Sequence, residues 1–261
     1  MQPLQSLKTD LLKSADPEKA KILAGFFKTG KGQYGEGDIF LGIMVPAQRQ
    51  VAKRYASLPL KDVKSLLASQ IHEHRLTAMF ILVGQYQKSD DLMKSDIANF
   101  YLAHTSCINN WDLVDLSAPH IIGDHFLNKD MTMLYDLAKS ENLWERRIAI
   151  MATFAFIRKK RFNEALDISE MLLHDRHDLI HKAVGWMLRE IGKRDLKRQE
   201  GFLKKHAHEM PRTMLRYAVE CFDKKRRAYW MNRKKDLASV SSCTRSAGSR
   251  YNSSAPCAKY L

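Results

Sequence analysis

The chain has 261 residues, 45% of them hydrophobic, and a formal net charge of +14 at pH 7. That is enough apolar material for a sizeable core, which argues against a disordered chain. No apolar run approaches the roughly 20 residues that span a bilayer, and the opening MQPLQSLKTD lacks the apolar stretch of a secretory signal, so an intracellular protein is expected.

The charge is unevenly placed. Residues 1–142 hold 16 Lys and Arg against 16 Asp and Glu, whereas residues 143–236 hold 24 against 13. The second part is therefore a candidate surface for a polyanion, most simply a nucleic acid backbone. The four cysteines, Cys107, Cys221, Cys243 and Cys257, form no C-x-x-C pair and read as free thiols rather than a disulfide frame or zinc knot.

In chain order, an N-terminal helix pair leads into KTGKGQYGEGDIFLG at 28–42, which carries five of the 12 glycines and reads as a flexible loop before a helix opening at Pro46. It lacks the G-x-x-x-x-G-K-[ST] spacing of a phosphate-binding loop. From there helical periodicity dominates and no period-two strand is evident. Apolar helix cores recur around Ala78, Val114, Ala149, Ala183 and Ala218, in steps of 36, 35, 34 and 35 residues. Second helices such as DMTMLYDLAKS at 130–140 and RFNEALDISEMLLH at 161–174 fall between them. A helix pair per step predicts an all-α, right-handed superhelical solenoid of HEAT-like antiparallel helix pairs, as one domain over 1–236.

Within INNWDLVDLSAPH at 108–120, Asn110 is the expected helix cap. Winding at 100° per residue puts Leu113 and Leu116 on one side, with Trp111 and Asp115 opposite, facing away from the expected core. The next repeat core, LWERRIAIMATFAFIRKKR at 143–161, is apolar nearly all round and should be buried, yet Arg147 shares a stripe with Met151 and Phe154. A buried guanidinium requires an anion, and Asp115, about one repeat earlier, is the obvious protein partner. In DLIHKAVGWMLREIG at 178–192, Trp186 lies off the apolar face between Lys182 and Arg189. Rings flanked by cations suit a surface that tracks a sugar-phosphate backbone, although each could equally pack on a neighbouring repeat.

H-D-L-I-H at 177–181 mimics a zinc-binding helix but has no third ligand, and no metal site is expected. KKRRAYWMNRKK at 224–235 reads as a basic final helix with Tyr229 and Trp230 packed on the last repeat. The Ser-rich segment 237–261 breaks the helical pattern and is set outside the fold as a disordered or foreign tail.

N-W-D-L-V-D at 110–115, W-E-R-R at 144–147, K-A-V-G-W-M-L-R-E at 182–190 and F-L-G-I-x-x-P-x-x-R at 40–49 together resemble the hallmark segments of the AlkD-type DNA alkylation repair glycosylases, over about residues 15–235. The resemblance implies a HEAT-like solenoid with a basic concave face for duplex DNA, and excision of N3- and N7-alkylated purines. It places the catalytic aspartate on Asp115, the cleft tryptophans on Trp111 and Trp186, and the catalytic-site arginine on Arg147. DNA contacts of the family would fall on Arg49 and Arg189, more loosely on Phe26; Lys182 and Arg158 are added as DNA-binding candidates on their charge. The Gly-rich loop is longer than in the best-known members, so its contacts do not transfer.

The implied activity is that of a monofunctional glycosylase acting on double-stranded DNA with alkylated purines, as a monomer, without cofactor, metal or membrane. Asp115 would stabilise an oxocarbenium-like sugar, Arg147 would lower the Asp115 pKa, and the two rings would lie against the deoxyribose. The alternatives are a non-catalytic HEAT-like nucleic-acid-binding protein and a protein-binding solenoid scaffold.

Overall fold

The computed structural model describes residues 3–238, and the segment 239–261, with most of the Ser-rich tail, lies outside the described residues. The described chain is all-α: it carries a single isolated bridge, Ile39 to Ile71, and no strand. It divides after Ala155 into two compact units. None of its helices is long and apolar enough to cross a membrane.

The first unit comprises α1 (Pro3–Leu12), α2 (Pro17–Phe26), α3 (Val45–Arg54), α4 (Leu60–Leu67), α5 (His72–Lys88), α6 (Asp91–Ala103), α7 (Trp111–Ser117), α8 (Asp124–Phe126), α9 (Thr132–Lys139) and most of α10 (Leu143–Arg158). The second holds α11 (Asn163–Met171), α12 (Asp178–Gly192), α13 (Leu196–His206), α14 (Arg212–Ala218) and α15 (Lys224–Ala238). The five repeat anchors lie on α5, α7, α10, α12 and α14, and all five are fully buried. In the first unit α5 packs on α3, α4, α6 and α7, and in the second α12 packs on α11, α13 and α14.

Side-chain caps set several helix starts. Asp16 and Asp90 accept backbone N–H groups at the starts of α2 and α6, and Asn110 accepts the Trp111 N–H at the start of α7, the cap expected of it. The helix begun by α7 does not stop at Pro119. It widens into a π-helical turn, Pro119–Gly123, where the Gly123 N–H donates to the Ala118 carbonyl at 2.8 Å, and continues as α8. Proline has no N–H to give, and the wider turn accommodates that loss. The final helix departs from expectation in one detail: Trp230 is buried but Tyr229 is 58% exposed.

The Gly-rich segment is a chain of closed turns rather than a slack connection. Glu36 accepts the Gly32 N–H at 2.7 Å, and Gln33 accepts that of Gly30 at 3.0 Å. Its far end is held by buried Glu73, whose carboxylate accepts the N–H groups of Leu41, Gly42 and Ile43 at 2.8–3.1 Å. Gly42 has φ of +79°, and a Cβ there would sit 2.0 Å from the Asp16 carbonyl oxygen, so only glycine fits.

Gly123 marks the tightest helix approach beside α7: a Cβ there would lie 2.3 Å from the Ala152 oxygen and 2.8 Å from the Ala155 Cβ on α10. Gly123→Ala should destabilise the protein by about 1–3 kcal/mol through overpacking, read as a lowered urea midpoint with unchanged helical circular dichroism.

Candidate active site

Two helices of the first unit supply the central pair. On α7, Asp115 follows Trp111 by one turn, and on α10 Arg147 occupies the first turns of a helix buried from Ile148 to Ala152. Arg147 grips Asp115 in two parallel bonds, Nε to Oδ1 at 2.9 Å and Nη2 to Oδ2 at 2.8 Å. The side chains are 3% and 1% exposed. The anion that Arg147 requires is thus the one the sequence suggests.

The placement of Asp115 differs from the helical-wheel expectation. Every residue from Asp112 to Pro119 is buried, so α7 has no solvent side on which the carboxylate could stand. Its own turn and the covering elements together close it off, and a wheel drawn on seven residues cannot register the cover. Burial pushes the Asp115 carboxyl above the ordinary carboxylate range. Arg147 opposes this, as expected of a cation, but removal from water is the larger effect and the net direction is up.

Trp111 stands half-buried at the start of α7. Its ring stacks on Phe27 at 5.2 Å between centroids and 13° between planes, and Phe26 meets it edge-on at 5.9 Å. Phe26 is 44% exposed, so this corner offers an aromatic surface to solvent. Tyr34, from the Gly-rich turns, approaches Trp144 edge-on at 6.1 Å, and Trp144 lies three residues before Arg147 on α10.

Behind Trp111 is a buried polar network that sequence reasoning missed. His72, at the start of α5, meets Asp112 of α7 through Nε2 at 2.8 Å and Asp38 through Nδ1 at 3.1 Å. Arg75 reaches Asp38 at 2.7 Å, and the Asn110 amide donates to Asp38 at 3.2 Å. Burial alone would lower the His72 pKa, but the two carboxylates outweigh it and raise it to about 9. His74, two residues on, has no carboxylate partner, and burial lowers it to about 4. Burial would raise Asp38, yet the His72 bond and the Arg75 charge prevail and hold it low. The available signal was the run His72, Glu73, His74, Arg75, four polar residues opening an apolar helix; all four are buried.

The structure brings Phe26, Trp111, Asp115 and Arg147 together within the first unit. Arg49, also in that unit, lays its guanidinium over the Phe80 ring at 4.2 Å. The other expected residues belong to the second unit. There Trp186 is half-buried on α12, Lys182 pairs with Asp178 at 2.7 Å, and Arg189 pairs with Glu220. Arg158 is exposed at the end of α10, where burial of its head and the Arg194 charge lower its pKa. His177 caps α12 by accepting the Leu179 N–H, and His181 bonds the Asp175 carbonyl, so both have backbone roles. Among the described residues no group of three or more His, Cys, Asp or Glu is placed to hold a metal ion. Cys107 and Cys221 are free.

Two outcomes follow from this geometry. Arg147→Met strands a buried carboxylate and should cost about 3–5 kcal/mol in chemical denaturation, most of it recovered by adding Asp115→Leu, because loss of one partner is worse than loss of both. For His72 the folded pKa of about 9 lies above the ordinary value of 6.5. Its stabilisation is therefore complete below the unfolded value and lost as pH rises through the folded one. The denaturation midpoint should fall between pH 7 and about 9.5 in the wild type, and this fall should flatten in His72→Gln.

Comparison with known proteins places these features in a family. The family model described as DNA alkylation repair enzyme matches residues 7–222. Among solved structures, a predicted DNA alkylation repair enzyme from Enterococcus faecalis is similar in fold, with a TM-score of 0.63 and 18% identity over 81% of this chain and 98% of that one. No curated protein matches. A family model that runs from within α1 past the end of α14, Trp111, Asp115 and Arg147 included, shows that the chain belongs to the DNA alkylation repair enzyme family.

Proposed function

We propose that the protein is a monofunctional DNA glycosylase that hydrolyses the N-glycosidic bond of N3- or N7-alkylated purines in duplex DNA. The observation that carries this reading is the buried Asp115–Arg147 pair set one helical turn from a half-exposed tryptophan, in a chain of the DNA alkylation repair enzyme family.

Alkylation at N3 or N7 makes the purine cationic and a good leaving group, so no general acid is required. The bond between C1′ and the base nitrogen breaks, the base leaves neutral with the bonding electrons, and the sugar becomes oxocarbenium-like. Water then adds at C1′ and loses a proton. Asp115 stabilises the developing positive charge, and its dry surroundings strengthen that effect. The faces of Trp111, and on the family resemblance Trp186, favour a cationic sugar. In the free protein the Asp115 carboxylate meets Arg147 and almost no solvent. Orienting the water therefore needs the pair to loosen, which a backbone phosphate drawing on the Arg147 guanidinium accomplishes. Arg49, Arg189 and, more loosely, Phe26 are assigned to DNA on the same resemblance, and Lys182 and Arg158 on their charge. The enzyme is proposed to act as an intracellular monomer without cofactor.

The burial of Asp115 favours one alternative: a non-catalytic nucleic-acid-binding protein in which the pair is structural. Release of free 7-methylguanine or 3-methyladenine from alkylated duplex DNA separates the two. Wild type should release base, and Asp115→Asn should be slower by about 10²–10³-fold with duplex binding retained. DNA binding without release by wild type would establish the binder, and equal release by both proteins would remove Asp115 from the chemistry. Because burial raises the Asp115 pKa, the rate should decline on acidification at a pH above the ordinary aspartate value of about 4.

A further inference from the structure

The network behind Trp111 has no part in the chemistry above, yet it touches every element that sets the ring in place. Four rings form a cluster: Phe40 lies on His72 at 4.6 Å, His72 on Phe27 at 4.8 Å and Phe27 on Phe40 at 5.1 Å, and Phe27 also stacks on Trp111 at 5.2 Å. The Phe27 and Trp111 planes differ by only 13°, so the position of Phe27 dictates that of the indole face. His72 also acts on α7 directly. Its Nε2 holds Asp112 Oδ2, while Asp112 Oδ1 accepts the Leu113 N–H at 2.9 Å. Asp38, on its other side, holds the amide of Asn110, the residue that caps α7.

We propose that His72 is a positioning residue for excision: bridging Asp38 and Asp112 and packed against both Phe27 and Phe40, it fixes the start of α7 and, through Phe27, the plane of the Trp111 ring.

This rests on the reading of Trp111 as a ring that meets the deoxyribose. The bridge depends on charge. Asp38 and Asp112 are 7% and 9% exposed in their side chains, and a cation between them offsets two desolvated carboxylates. The charged groups facing His72 are these two acids and Arg75, whose Nη2 lies 3.5 Å from Nδ1 while the same group pairs with Asp38. Arg75 and Asn110 still serve Asp38 if His72 is lost. Asp112 keeps the Leu113 N–H, so the α7 end of the bridge is the one that gives way. The rings of Phe27 and Phe40 beside it suit an imidazolium, which couples the charge of His72 to the ring cluster. A shift of Trp111 by a fraction of an ångström would change alignment with the sugar more than affinity for the duplex.

The test compares wild type with His72→Gln on full-length protein. Single-turnover release of 7-methylguanine should fall by about 10- to 100-fold in the variant, while its affinity for unmodified duplex stays within about twofold, since phosphate contacts dominate affinity. Tryptophan emission of the wild type should titrate with a midpoint near 9, and that transition should vanish in both His72→Gln and Trp111→Phe. An unchanged single-turnover rate in folded His72→Gln, or an emission transition that survives in Trp111→Phe, would overturn the proposal. If His72→Gln does not fold, Asp112→Asn removes the α7 anchor instead, and the same rate loss and lost transition are expected. If wild type releases no base, the glycosylase reading falls, and the emission titration alone decides whether His72 sets Trp111.

Discussion

Burying a carboxylate is tolerable only where a cation is buried with it, and in this protein the constraint is met by Asp115 and Arg147. Each is nearly closed to solvent, each would be costly alone, and their two parallel bonds tie α7 to α10. The Cβ-free position at Gly123 brings the same two segments close enough for the pair to form, and the π-helical turn keeps the chain helical past Pro119 while it does so. The outcome is a charge held in a dry, fixed place. Under the proposed glycosylase reading, that carboxylate serves to stabilise a cation that appears only during bond breaking.

The second organising feature is the polar start of α5. Glu73 gathers three backbone N–H groups from the end of the Gly-rich turns, His72 joins Asp38 to Asp112, and Arg75 secures Asp38. One helical turn thereby connects the segment before α3 to the start of α7. Each of the three carboxylates is held by more than one donor, and such a network favours a single arrangement because any slip leaves a charge without a partner. Trp111 inherits its orientation from that arrangement through Phe27, whereas Phe26 beside it stays open to solvent.

Four cations of the second unit are restrained by local acids. Lys182 pairs with Asp178, Arg189 with Glu220, and Lys193 and Arg194 with Glu190. A phosphate would have to exchange with these carboxylates rather than meet bare cations, so the net contribution of each contact is smaller than a count of basic residues implies. The exchange also favours ligands that present several phosphates at fixed spacing.

The family was legible in the sequence because its signals are local. The family resemblance rests on short contiguous segments around Trp111, Arg147, Trp186 and Arg49, while helical periodicity, the step of about 35 residues between buried anchors, the Asn110 cap and Arg147 on an apolar stripe bear on the fold; these also survive in one dimension and hold in three. The basic excess of residues 143–236 is likewise a property of composition. What the chain order could not reveal is cover. Asp115 reads as outward-facing on a seven-residue wheel, yet flanking elements enclose it and raise its pKa. His72 and Asp112 are 40 residues apart, Asp38 is 34 residues before His72, and nothing in their local sequence marks them as partners. The Gly-rich segment reads as slack because glycine permits freedom, but Glu73 and the close approach of Gly42 to Asp16 remove it. Periodicity and capping are encoded by neighbours in the chain. Desolvation and charge pairing depend on neighbours in space, and only the tertiary structure decides those.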